Sequence, residues 1–207
     1  MDGMSSPGDL MLRYPGWEKT GELAGANAVW SIIQAEDGSL YAGTMENGDV
    51  FRSTDAGTTW VNTAELPGAW GALSVLETMD GTVYATALDG VSAKVYKTTD
   101  GGTTWLQTGD LPEVEGVYKL MQAEDGAIYA SGTKHLNFPE WPGWVWKTTN
   151  GGTTWIMTSY MGDSITNVYT VFQAADRSIY AGGWGSSHAF RTTDGGARGA
   201  GPVRRVR

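Results

Sequence analysis

The chain has 207 residues, among them 30 Gly, 10 Trp and 9 Tyr, and only 18% are charged, against averages of about 7% Gly and 25% charged. Its net charge of −9 argues against a nucleic-acid or anionic-membrane surface, which needs clustered Lys and Arg. Cysteine is absent, which removes disulfides and thiol chemistry but leaves the compartment open, because a chain of this size can bury a core without covalent staples.

Residues 1–15 are a lead-in without the basic segment and apolar run of a secretory signal. No later stretch is long enough to span a bilayer, so the chain as written reads as soluble and unexported, its localisation otherwise unknown. If it is part of a secreted parent, the expected location is extracellular. Residues 16–23, GWEKTGEL, match the later TTWVNTAEL and TTWLQTGDL and read as the outermost strand of a unit whose other strands are missing. From there to residue 196 the chain repeats, in units of about 17–60, 60–105, 105–155 and 155–196. The repeated segment reads VFRSTDAGTTW from Val50, VYKTTDGGTTW from Val95, VWKTTNGGTTW from Val145 and AFRTTDGG from Ala189. Tyr41, Tyr84, Tyr129 and Tyr180 are 43, 45 and 51 residues apart, and Trp17, Trp60, Trp105 and Trp155 are 43, 45 and 50 apart, so two markers stay in phase.

A period of roughly 40 to 50 residues indicates a propeller or a solenoid, and the pattern within one period separates them. The third unit holds four short runs rich in β-branched and aromatic residues: VYKLMQA, AIYASG, WVWKTT and TTWIMT, joined by the turns EDG and NGG and one longer loop. Nothing has helical periodicity. Four antiparallel strands per repeat predict an all-β fold, a β-propeller of four-stranded blades with about four blades present, as an open arc or a four-bladed ring. The tail, residues 197–207, carries Arg198, Arg204, Arg205 and Arg207 and breaks the fourth segment where Thr-Thr-Trp should stand.

Each position of the repeated turn has a mechanical reason. Asp55, Asp100, Asn150 and Asp194 can accept hydrogen bonds from backbone N–H groups just ahead, and Ser53, Thr98, Thr148 and Thr192 can do likewise. Gly57, Gly102, Gly152 and Gly196 supply a positive φ, and Trp60, Trp105 and Trp155 fill the space under the turn. Asn150 favours a structural role for all four carboxamide or carboxylate groups, since an amide keeps the hydrogen bonds but is no acid or base.

These four turns resemble the Asp-boxes of the bacterial neuraminidase (sialidase) repeat superfamily, which also contains xyloglucanase-type glycoside hydrolases, sortilin-type receptors and photosystem II assembly-factor-like propellers. The likeness spans Trp17 to Gly196 and is specific for architecture rather than chemistry. It implies that the boxes lie on the face away from an active site, and that sialidase-type rings have six blades. Two readings of the ends follow. Either the strand around Trp17 pairs with residues 189–193 and closes a four-bladed ring, or, the favoured reading, the chain is part of a longer propeller with a truncated or frame-shifted end.

Function is then expected at the end of the blades opposite the boxes, where loop length varies. The third unit inserts KHLNFPEWPG, with His135, Phe138, Glu140 and Trp141, and Trp144 just beyond. Aromatics beside carboxylates are a common way to hold sugar rings; the alternative is that Phe138 and Trp141 cover a blade edge. Trp70 and Trp184 face the same end, as do Glu65, Glu113, Glu115, Tyr160, Asp163 and His188. No metal site is expected, because neither histidine has ligand spacing, and no cofactor motif is present. The sialidase likeness would imply a three-arginine clamp, a Tyr–Glu pair and an acid Asp. Outside the tail only Arg13, Arg52, Arg177 and Arg191 exist, and all but Arg13 fall at the box end. The expected role is a non-catalytic binding or scaffold module for a glycan or protein, with further blades of a parent chain or self-association through open edges as other partners. The alternative is a fragment of a sialidase-like or other glycoside hydrolase, whose two catalytic carboxylates the sequence does not single out.

Overall fold

The computed structural model describes residues 16–46, 48–90, 92–134, 143–159, 161 and 165–197. The first sheet consists of β1 (Ala28–Gln34), β2 (Leu40–Met45), β3 (Val50–Ser53) and β4 (Val61–Asn62). The second consists of β5 (Val75–Glu77), β6 (Val83–Leu88), β7 (Ala93–Thr98) and β8 (Leu106–Gln107), and the third of β9 (Val114–Gln122), β10 (Ile128–Lys134), β11 (Gly143–Thr148) and β12 (Ile156–Met157). The fourth holds only β13 (Asn167–Gln173), β14 (Ile179–Trp184) and β15 (Phe190–Thr192). All pairings are antiparallel between strands consecutive in sequence. No helix among the described residues is long and apolar enough to cross a membrane.

Two cross-strand pairs recur in every sheet and give it two different faces. On one face a small residue of the second strand lies opposite a large aromatic or Phe of the third: Ala42 and Phe51, Ala85 and Tyr96, Ala130 and Trp146, Ala181 and Phe190. On the other face a tyrosine lies opposite a cation: Tyr41 and Arg52, Tyr84 and Lys97, Tyr129 and Lys147, Tyr180 and Arg191. Because strand side chains alternate between faces, one sheet is apolar on both sides only where both sides are covered. The tyrosine face of each sheet meets the alanine face of the next, and the three resulting interfaces are the three hydrophobic cores of the molecule.

The edge strands β1, β5, β9 and β13 adjoin in a row, tied by side chains as well as by packing. Val75 N–H donates to Ser31 Oγ at 3.0 Å and Leu120 N–H to Ser74 Oγ at 3.0 Å. At the other edge, the second residue after each outermost strand bonds the turn glycine of the next sheet: Ala64 N–H to Gly102 O (2.8 Å), Gly109 N–H to Gly152 O (2.7 Å) and Ser159 N–H to Gly196 O (2.9 Å). Residues 16–26 dock on the first sheet in this same register, with Gly21 N–H donating to Gly57 O at 2.7 Å.

Three expectations need correction. The fourth sheet has three strands among the described residues, because its turn ends at Gly196 without the Thr-Thr-Trp that starts the outermost strand elsewhere. The ring-closing pairing of the Trp17 segment with residues 189–193 does not form: β15 is hydrogen-bonded to β14 alone among the described strands, and Trp17 is fully exposed. Trp105 and Trp155 are buried as expected, whereas Trp60 is only half-buried, and its turn is met at Gly57 by residues 16–26 rather than by a complete sheet.

Candidate functional site

The repeated turns are closed hydrogen-bond circuits at one end of the sheets. Asp100 accepts from Thr104 N–H (2.9 Å) and Thr104 Oγ1 (2.7 Å), while Thr98 Oγ1 donates to Asp100 (2.7 Å) and accepts Gly102 N–H (3.0 Å). Asp55 with Ser53, Gly57 and Thr59 repeats this arrangement. Asn150 takes Thr154 N–H at 3.0 Å but donates its own Nδ2 to Thr154 Oγ1 at 2.9 Å. Asp194 accepts Gly196 N–H at 3.0 Å and a hydroxyl proton from Thr192. The Thr104 hydroxyl, then its N–H and the Thr98 hydroxyl, hold the Asp100 carboxyl down to about 2. The Thr59 N–H does most to lower Asp55, and the Thr192 hydroxyl to lower Asp194. A carboxylate so thoroughly bonded at neutral pH is a poor proton donor or acceptor.

Clefts lie at this same end, between neighbouring sheets. One of about 480 Å³ is lined by Asp37, Tyr41, Arg52, Glu77 and Asp100, and one of about 330 Å³ by Glu124, Tyr129, Lys147, Arg177 and Asp194. Their polar groups are already engaged. Arg52 pairs with Asp37 at 2.9 Å and stacks over Tyr41 at 5.6 Å, Arg177 pairs with Glu124 at 2.9 Å, and Arg191 pairs with Asp176 at 2.9 Å and stacks over Tyr180 at 5.8 Å. These are grooves between repeats rather than convergent sites. Every arginine among the described residues is thus committed here, away from the variable loops.

At the loop end the structure assembles a group that the sequence reading missed. The edge strands of the first, third and fourth sheets each carry a bulge, at Trp30, Tyr118 and Tyr169, and Leu73 holds the matching place in the second, where Leu73 N–H and Ser74 N–H share Thr86 Oγ1. A bulge turns an extra side chain off the regular alternation, and here the extra residue is aromatic in three sheets. Tyr118 and Tyr169 meet edge to face, their ring centres 4.9 Å apart. Thr133 Oγ1 donates to Tyr118 Oη at 3.3 Å, Tyr118 Oη donates to Asn167 Oδ1 at 3.2 Å, and Thr133 also reaches Asn167. Burial pushes the Tyr118 phenol up, only partly offset by the Thr133 hydrogen bond, so it is a neutral donor. The signal was available in VWS (29–31), VYK (117–119) and VYT (168–170), an aromatic between valine and a polar residue at one phase of the repeat.

Trp184 adjoins this group, since it pairs with Asn167 across β13 and β14 and its side chain is exposed. Trp144 pairs with Gly132 and packs half-buried against the second core. Trp70 is exposed between the first and second sheets and is not brought to the Tyr118 group. His135, Phe138, Glu140 and Trp141 lie outside the described residues, as do Arg13, Tyr160 and Asp163. The assembled surface offers exposed ring faces beside a hydroxyl and amide network.

The chain matches no protein-family model and no curated protein sequence. It is similar to solved structures. A catalytically inactive virginiamycin B lyase from Staphylococcus aureus with quinupristin superposes with a TM-score of 0.68 at 15% identity, over 86% of this chain and 57% of that one. An ancestral GH74 enzyme gives 0.64 at 21%, over 84% of this chain and 24% of that one. The fold is a β-propeller. A nidogen/laminin complex extends the likeness, with a TM-score of 0.63 at 12% identity over 81% of this chain. The propeller chain spans little more than half the length of several of these structures, 57% of the lyase and 61% of the nidogen/laminin chain.

Proposed function

We propose that this propeller is a non-catalytic Asp-box module that holds a carbohydrate or a protein segment on its loop end, over the third and fourth sheets. The observation that carries this is the Tyr118, Tyr169 and Trp184 aromatic group with its Thr133 and Asn167 partners. Ring faces accept the apolar side of a sugar or a peptide side chain, and the hydroxyls and amide fix its orientation. Tyr118 is a neutral donor, and the three arginines among the described residues are paired at the opposite end, so recognition of a neutral or cationic ligand fits better than that of a sialoside.

The test is a glycan-array and calorimetric comparison of the wild type with Trp184→Ala, Tyr169→Ala and Trp141→Ala. Each of these three rings is expected to contribute about 1–3 kcal/mol to binding, the scale of an aromatic contact at a hot spot, with little change in melting temperature. Binding unaffected by all three substitutions would remove the site from this surface. Hydrolysis of a bound glycan would instead favour the glycoside hydrolase reading.

A further inference from the structure

Among the described residues, the fourth sheet contains an unfilled tryptophan slot. Trp105 shares its core with Tyr41, Val50 and Leu66 of the first sheet's repeat and with Val83, Ala85 and Tyr96 of its own. The counterparts at the same phase of the repeat are Tyr129, Val145 and Met161, with Ile179, Ala181 and Phe190. These line a cavity of about 220 Å³ on the fourth sheet. The slot also keeps its polar anchor. Trp105 Nε1 donates to Thr63 Oγ1 at 3.1 Å and Trp155 Nε1 to Thr108 Oγ1 at 3.2 Å; the next residue of the series, Thr158, lines the cavity.

Trp17, the first tryptophan of the repeat series, has no such place, and its relative exposure is 105%. We propose that Trp17 of a second copy of this chain fills the slot, so that residues 16–23 of that copy complete the fourth sheet in trans beside β15. The segment is already held in the required register, because Gly21 docks on Gly57 as Ala64, Gly109 and Ser159 dock on their own turn glycines. Seating it on the fourth sheet therefore carries the second copy's first sheet onto the fourth sheet's tyrosine face.

The two faces brought together are complementary by the rule that governs the three internal interfaces. The fourth sheet presents Phe172 stacked on Tyr180, ring centres 5.4 Å apart, with Phe172 exposed. The first sheet presents Ile32, which is 60% exposed although its counterparts Val75, Leu120 and Val171 are 1–2% exposed. The polar ties match as well. Glu36, Met79 and Glu124 each donate a backbone N–H to the side chain ending the next edge strand, Glu77 (2.7 Å), Gln122 (2.8 Å) and Gln173 (2.8 Å). The donor next in this series is Ala175 and the acceptor that precedes it is Gln34, one on each mating face. Likewise Thr170 stands where Ser31 and Ser74 receive Val75 N–H and Leu120 N–H, which places it to receive Ile32 N–H. Two reciprocal insertions join two sets of four sheets into one ring, within the range of roughly four to eight blades usual for propellers, through an interface of the strand-exchange type.

Light scattering on the full chain should give twice the 22.1 kDa of one copy. Trp17→Ala should raise the dissociation constant at least about tenfold, as removal of a buried tryptophan anchor does, without lowering the melting temperature of the dilute single copy. Ala181→Trp, which fills the slot from within, should also give single copies, and circular dichroism reports whether it retains the β fold. A photo-crosslinking residue at position 17, in an equal mixture of light and nitrogen-15 copies, should join light to heavy chains at the slot. A wild type that stays a single copy at about 100 μM, a Trp17→Ala dimer of undiminished affinity, or crosslinks confined to one chain would each overturn the proposal.

Discussion

Asp100 and Asn150 occupy the same place in successive turns yet bond the following threonine hydroxyl with opposite polarity, the carboxylate accepting and the amide donating. The turn therefore needs hydrogen-bonding atoms at that position and not a charge. Asp100→Asn should leave stability at neutral pH almost unchanged. It should, however, alter the acid limb. Asp100 titrates near 2 in the folded chain against an ordinary 3.8, so its contribution is complete above the ordinary value and is lost as pH falls from there through about 2. Urea midpoints measured down to about pH 2 should fall less steeply for the Asn variant than for the wild type. Thr98 is a harsher position, because it is buried and its Oγ1 is the acceptor for Gly102 N–H. Thr98→Ala leaves that N–H without its acceptor and should cost about 1–3 kcal/mol in the same denaturation assay.

Elements show the same economy with local exceptions. The first turn of each sheet places Gly38, Gly81 and Gly126 at positive φ, but the fourth places Arg177 there, at φ 65°. Left-handed backbone is unfavourable for a residue with a Cβ, and the exposed Arg177–Glu124 pair offsets little of that. Arg177→Gly should raise the melting temperature by roughly 2–4 °C; no rise would mean the ion pair outweighs the backbone. Under the later turns, Trp105→Ala should cost about 3–5 kcal/mol, as deletion of a buried indole does. Trp60→Ala should cost clearly less, since Trp60 is half-buried and its Nε1 has no hydrogen-bond partner.

For the whole molecule, four sheets share three cores, and each sheet depends on its neighbours much as stacked repeats do. Sheets covered on both faces open least, so amide exchange should be slowest in β6, β7, β9 and β10 and fastest in β1 and β13–β15 of the single copy. Equal protection of all four sheets in a verified single copy would contradict the open arrangement.

The strands, their order and the turn chemistry were legible in the sequence because each repeats and depends on neighbours within a few residues. Tyr41, Tyr84 and Tyr129, and Trp105 and Trp155, kept their phase for the same reason: every interior interface is one pattern written again. The bulges at Trp30, Tyr118 and Tyr169 were not legible, since a bulge interrupts the alternation from which strand faces are read. Nor was the company Tyr118 keeps with Thr133 and Asn167, residues set side by side only by the pairing of β9 with β10 and the stacking of β13 beside them. By itself the sequence determined a propeller of antiparallel sheets and the mechanical role of its turns, both consequences of local hydrogen bonding and a repeated period. Only the tertiary structure decided that Trp17 stands in solvent while an equivalent slot on the fourth sheet is left unfilled by the described residues, because whether two distant ends of a stack meet depends on the accumulated rotation between sheets, a quantity no single repeat encodes.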